Sequence, residues 1–189
     1  MADSYSEEVK TLLQSYIDDD QNVEKLKTSL KSYSAASRYR LLMDIRGMRY
    51  ASLSGVWNAA GLKDLEMIQL MLSGFTGDQL HDVVSIEDGY KETTLHEAAY
   101  SGSIDIVNYI LDRVPQHLRF SLIKKQTIAQ NTAVHLAAQE KHLDVVSAII
   151  KHLSLPELVE VMKIKNIHKK TVRDMVPADV YARWIAEGW

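Results

Sequence analysis

The 189-residue chain has no cysteine. A disulfide framework, a thiolate zinc site and thiol chemistry are therefore excluded. Its eight glycines are scattered, so no glycine-rich loop is present to cradle a phosphate, and neither G-x-S-x-G nor H-E-x-x-H occurs. No apolar run approaches the roughly 18 residues of a membrane-spanning helix. The start, Met1-Ala2-Asp3-Ser4-Tyr5-Ser6-Glu7-Glu8, is acidic and polar, unlike a secretory leader. Net charge is only −3, which argues against a general polyanion binder. What remains is an ordinary globular balance, with 46% apolar and 25% charged residues and length enough for one independently folding core. The expected location is cytoplasmic.

What is present is a repeat. Thr93-Thr94-Leu95-His96-Glu97-Ala98-Ala99 returns as Thr132-Ala133-Val134-His135-Leu136-Ala137-Ala138, offset by 39 residues at every position. One step back lies Ser54-Gly55-Val56-Trp57-Asn58-Ala59-Ala60. One step forward lies the degraded copy Thr171-Val172-Arg173-Asp174-Met175-Val176. After each alanine pair comes a helical stripe: Leu65, Met67, Ile68, Met71, Leu72; then Ile104, Ile106, Val107, Ile110, Leu111; then Leu143, Val145, Val146, Ile149, Ile150. Asp64 and Ser103 stand where a side chain can cap the first turn, and His142 takes that place less well. Further on, Leu80, Val83 and Val84 recur as Leu122 and Ile123 and as Leu158 and Val161, with Pro115 and Pro156 near the starts. A structureless linker of that length would be unusual, so an extra short helix is expected in each unit.

The flanks lack the motif. Residues 7–17 read as an amphipathic helix ended by Asp18-Asp19-Asp20, a solvated helix end rather than a cation loop, since no ligand-spaced Gly and Glu follow. A second helical pattern carries Val23, Leu26, Leu30 and Tyr33, and Leu41-Leu42-Met43-Ile45 lies in the phase of the extra helix. At the other end Asp174, Met175 and Val176 should begin a helix, Pro177 punctuates, Val180, Trp184 and Ile185 give a last amphipathic turn, and Trp184 and Trp189 should cover the end of the stack.

The two T-x-x-H copies resemble the ankyrin repeat, here in a long 39-residue period. The resemblance implies an all-α solenoid with short hairpin-like tips, to which the linker pattern adds an extra short helix per repeat. It divides the chain into an N-terminal helical cap (1–48), three repeats (49–87, 88–126, 127–165), and a partial repeat with C-terminal cap (166–189). It implies that His96 and His135 bond to neighbouring tip backbone. The family's usual glycine at the fourth tip position is replaced by Lys91, Gln130 and Lys169, and its T-P-L-H proline by Thr94 and Ala133.

The implied function is a non-enzymatic, monomeric protein–protein interaction module, an adaptor or scaffold, with no cofactor, no metal and no membrane contact. Its protein partner, not identified by any residue, would be met through tips and first helices: Tyr50, Leu53, Asn58 and Leu62; Tyr90, Glu92, Glu97, Tyr100 and Ser101; Ile128, Asn131, Leu136, Gln139 and Glu140; His168 and Lys170. Tyr90, Tyr100, Ile128 and Leu136 are the expected apolar anchors. The alternative within this class is a secreted effector of an intracellular bacterium that binds a host protein inside the host cell. Two other classes carry less. An enzyme would use His96 with Glu97 as base and orienter, but Leu136 and Trp57 break that pairing in the other copies. A nucleic-acid binder would use Arg38, Arg40, Arg46 and Arg49, although a helix whose arginines lie on the solvent side explains that cluster better.

Overall fold

The computed structural model describes residues 12–13, 20–45 and 55–186. Among them no strand occurs. The helices are α1 (Asp20–Ser32), α2 (Ala35–Ile45), α3 (Gly55–Gly61), α4 (Leu65–Leu72), α5 (Gly77–Val84), α6 (Thr94–Ser101), α7 (Ile104–Arg113), α8 (Gln116–Ile123), α9 (Ala133–Gln139), α10 (Leu143–Ile150), α11 (Leu155–Lys163) and α12 (Ala178–Ala186), with a 3-10 turn at Val172–Asp174 before the last. Three units of three helices are stacked: α3–α5, α6–α8 and α9–α11. The extra helix expected in each unit is present as α5, α8 and α11.

The alanine pairs set the stacking. Ala59, Ala60, Ala98, Ala99, Ala137 and Ala138 are all buried, and the first helices α3, α6 and α9 pack in series. Small side chains let the backbones approach closely enough for Ser101 Oγ to donate to the Ala60 carbonyl at 3.1 Å. Behind them the second helices bury the expected stripes, Met67-Ile68, Ile106-Val107 and Val145-Val146 among them. Leu65, Ile104 and Leu143 are only half-buried, because they lie at the helix starts.

Caps fix most starts. Asp64 accepts from the Met67 amide at 2.9 Å as expected. Thr76 and Gln79 form a reciprocal pair at the start of α5, and Ser154 with Glu157 does the same for α11. Ser103 differs from expectation: its hydroxyl turns to Ser101 and to the Ala60 carbonyl of the preceding unit, leaving α7 without a side-chain cap.

Of the expected N-terminal helix over 7–17, only Leu12 and Leu13 lie within the described residues, and both are buried. Asp18 and Asp19 lie outside them. The second and third positions of this end unit are filled by α1, which buries Leu26 and Leu30, and α2, which buries Leu41 and Leu42. At the other end the expected helix at Asp174–Val176 is replaced by the 3-10 turn. Pro177 lacks the amide that would continue an α-helix there. Asp174 takes the motif histidine's place, accepting from the Thr171 amide and hydroxyl, each at 2.8 Å. Trp184 is buried against the last unit as expected. Trp189 and the Ile185 side chain are not among the described groups.

Candidate functional site

The tips are built from short-range hydrogen bonds. In the first, the Asp88 carboxylate accepts from the Tyr90 and Glu92 amides at 2.8 and 2.7 Å. Asn166 does the same for His168 and Lys170, at 3.0 and 3.1 Å. Thr127 accepts from the Asn131 amide at 3.3 Å. Each tip then turns through a left-handed residue: Lys91 at φ 60, Gln130 at 59 and Lys169 at 62. The geometry of a glycine turn is thus kept without glycine, with the strain of a Cβ in that region. Adjacent tips are tied by backbone bonds, Ile128 N–H to the Tyr90 carbonyl at 2.9 Å and Ile167 N–H to the Ala129 carbonyl at 3.1 Å.

The motif histidines lock tips to helices. His96 Nδ1 accepts from the Thr93 amide at 3.2 Å, and its Nε2 lies 3.1 Å from the Lys125 carbonyl. His135 repeats both, at 3.3 Å from the Thr132 amide and 3.1 Å from the Ile164 carbonyl. A carbonyl only accepts, so Nε2 carries the proton. Each ring therefore joins the start of a unit's first helix to the exit of its third, a structural role that extends the expected bond to the tip. Burial pushes the His96 imidazole down to about 4, and His135 shifts the same way for the same reason. With both ring nitrogens engaged, His96 has none left for proton transfer to a substrate. Its neighbour Glu97 points elsewhere, onto Gly61 of the preceding unit. Among the described residues no group of three His, Asp or Glu could hold a metal ion.

The expected binding residues divide into three sets. Tyr90 (68% exposed) and Ile128 (59%) stand out from neighbouring tips. Leu62, Tyr100, Gln139, Glu140, His168 and Lys170 are also exposed. Glu92, Glu97 and Ser101 are half-buried. Burial raises the Glu97 carboxyl to about 7, helped by the charges of Glu92 and Asp88, and burial raises Glu92 as well. Tyr50 and Leu53 lie outside the described residues.

Three of the expected residues are not on the open face. Leu136 is only 7% exposed, so it is not an exposed anchor. It shares its helix position with Glu97 and Asn58, and that position faces the seam between first helices rather than solvent. Asn58 is buried there, and neither amide atom has a hydrogen-bond partner. Asn131 is buried because its Oδ1 accepts from Asn166 Nδ2 at 3.0 Å, which fastens two tips together.

The arginine cluster also separates. Arg38 is buried, not on the solvent side. Its guanidinium donates to the carbonyls of Leu30 (3.2 Å) and Ser73 (2.7 Å) and to the Ser73 hydroxyl (2.8 Å). It ties the N-terminal helices to α4 and is not available to phosphate. Arg40 is exposed; Arg46 and Arg49 lie outside the described residues.

No curated protein matches the chain. No helix among the described residues is long and apolar enough to cross a membrane. The family model for ankyrin repeats matches residues 56–160 in three copies. These residues span the three stacked units described above, and repeats of this kind generally mediate protein–protein interaction. By this match, over more than half of its length, the chain belongs to the ankyrin-repeat family.

Proposed function

We propose that this chain is a non-enzymatic adaptor or scaffold that binds a protein partner along its tips and the adjoining first-helix residues. The three repeats over 49–165 carry the surface, and 1–48 and 166–189 close the ends. The observation that carries the reading is the pair Tyr90 and Ile128: two large apolar side chains held outward on adjacent tips whose backbones are bonded at 2.9 Å. Side chains with no core to fill, on a rigid support, suit a partner surface, because little freedom is lost when they are covered. Tyrosine adds contact area with few rotors to freeze. Tyr100, Leu62, Gln139, Glu140 and His168 extend the same face, with the half-buried Glu92 and Glu97 at its root.

The test is capture of a partner by the wild-type chain and by Tyr90→Ala. Loss of such an anchor costs on the order of 2 kcal/mol, roughly thirtyfold in affinity, with an unchanged melting temperature. Lys124→Ala, at the C-terminal end of α8 beside Glu160, should change neither. Binding lost in Lys124→Ala and kept in Tyr90→Ala would overturn the assignment.

A further inference from the structure

A second surface lies far along the stack from the tips of the first units. A cleft of about 770 Å³ opens between α11, the 3-10 turn and α12. Its apolar lining includes Leu155, Leu158, Val159 and Met162 from α11 and Trp184 from α12. Leu155 is 66% exposed and Val159 44%. With Met162 they fall at i, i+4 and i+7, the spacing of one helical stripe.

The first unit shows what such a surface faces. There Leu72, Gly77 and Leu80 line a smaller cleft whose far wall is Tyr109 and Arg113 of α7, the second helix of the next unit. A Cβ on Gly77 would come within 3.1 Å of the Arg113 carbonyl. By repeat phase, Leu72, Gly77 and Leu80 correspond to Ile150, Leu155 and Leu158. In the third unit those positions line the larger cleft, whose far wall among the described residues is α12, through Tyr181 and Trp184. The surface is therefore shaped to receive a helix.

Its rim is positive. Lys163, Lys165 and Arg173 line it. The rim also holds one carboxylate, Asp174, which accepts from Thr171 and lies in the field of Lys165 and Arg173; Glu157 accepts from the Ser154 amide, and Glu160 pairs with Lys124 at 3.6 Å. A chain of net charge −3 thus presents an apolar groove whose rim, three cations against the one carboxylate of Asp174, is net positive.

We infer that this cleft is a docking site for an amphipathic α-helix of a partner protein, with large apolar residues on one face and Asp or Glu along its flanks. Helix-in-groove recognition of this kind reads anchors at i, i+3 or i+4, and i+7. The rim cations favour acidic flanks and repel basic ones. The site is separate from the Tyr90 and Ile128 tips and does not depend on the function proposed for them.

The experiment uses the full chain and two labelled helical peptides of about four turns. They have identical leucine faces, and one has Glu flanks while the other has Lys flanks. Anisotropy titration should give the Glu peptide an affinity at least about tenfold higher. Val159→Asp and Leu155→Asp, at exposed positions, should each weaken it by about tenfold or more at unchanged melting temperature. Lys163→Glu with Lys165→Glu should reverse the preference, Tyr90→Ala should leave it intact, and amide protection on binding should fall on 155–163 and 178–186. Equal affinity for both peptides would overturn the inference, as would full binding by Val159→Asp. Concentration-dependent dimerisation of the free chain, abolished by Leu155→Asp, would also overturn it by making a second copy the occupant.

Discussion

The Glu97 carboxylate rests on Gly61: its Oε1 lies 2.6 Å from where a Cβ on that glycine would stand. The seam between the first and second units thus has room for a carboxylate only because residue 61 has no side chain. Burial there, together with Glu92 and Asp88, raises the Glu97 pKa from 4.5 to about 7. A group whose folded pKa is raised gives its full stability below the unfolded value and loses it as pH rises through the folded one. Glu97→Gln should therefore melt higher than wild type at about pH 8 and lose that advantage near pH 4. An equal difference at both pH values would mean that the carboxyl titrates normally.

His96 works in the opposite direction. Its pKa falls from 6.5 to about 4 on burial, so its contribution is complete above pH 6.5 and drains away as pH drops toward 4. His135 shifts the same way. His96→Gln should lose about 1–2 kcal/mol at neutral pH, because the bond to the Lys125 carbonyl goes. It should also show a shallower acid slope in urea unfolding. Parallel slopes for variant and wild type would place the acid sensitivity at other groups.

Lys91 occupies left-handed backbone at φ 60. Lys91→Gly should stabilise the chain by about 1 kcal/mol, removing a strained Cβ at a site the family fills with glycine. Gly102 gives the converse. It closes α6 at φ 76, and its Cβ would meet the His142 ring at 2.6 Å, so Gly102→Ala should lower the melting temperature.

Asn58 is buried with no partner for its amide, at the helix position where the third unit has Leu136. Removing an unsatisfied buried polar group is worth about 1–3 kcal/mol. Asn58→Leu should raise the unfolding midpoint. A fall would show that the amide makes a bond in solution.

Ala137 is fully buried where α9 packs on α6. Ala137→Leu should overpack that contact and cost about 1–3 kcal/mol in thermal unfolding. An unchanged melt would mean that the first helices do not stack in this register.

The helices were legible because each reports itself locally. The stripe Ile106, Val107, Ile110 and Leu111 marks α7, and Leu122 with Ile123 marks the inner face of α8. The role of His96 was legible from its recurrence as His135. The left-handed turn at Lys91 was not, because its usual sign is a glycine and lysine carries no such signal. Leu136 and Asn58 were misplaced onto the open face for a different reason. Their burial depends on a helix roughly 39 residues away in the sequence repeat, and α-helical spacing alone does not say which side that neighbour occupies. Ser103 was expected to cap its own helix, but the nearby Ala60 carbonyl of the preceding unit competes for its hydroxyl.

The paired histidine bonds also bear on how the chain yields to a pull. Each one clasps a segment whose ends lie 29 residues apart, His96 to Lys125 and His135 to Ile164. The second and third units are therefore closed loops stacked on their immediate neighbours, like links lying side by side. Tension applied at the two termini would not draw out the chain smoothly. It would be held until one clasp parted, and the freed unit would then lengthen the molecule by on the order of 100 Å, leaving the next link loaded and still shut.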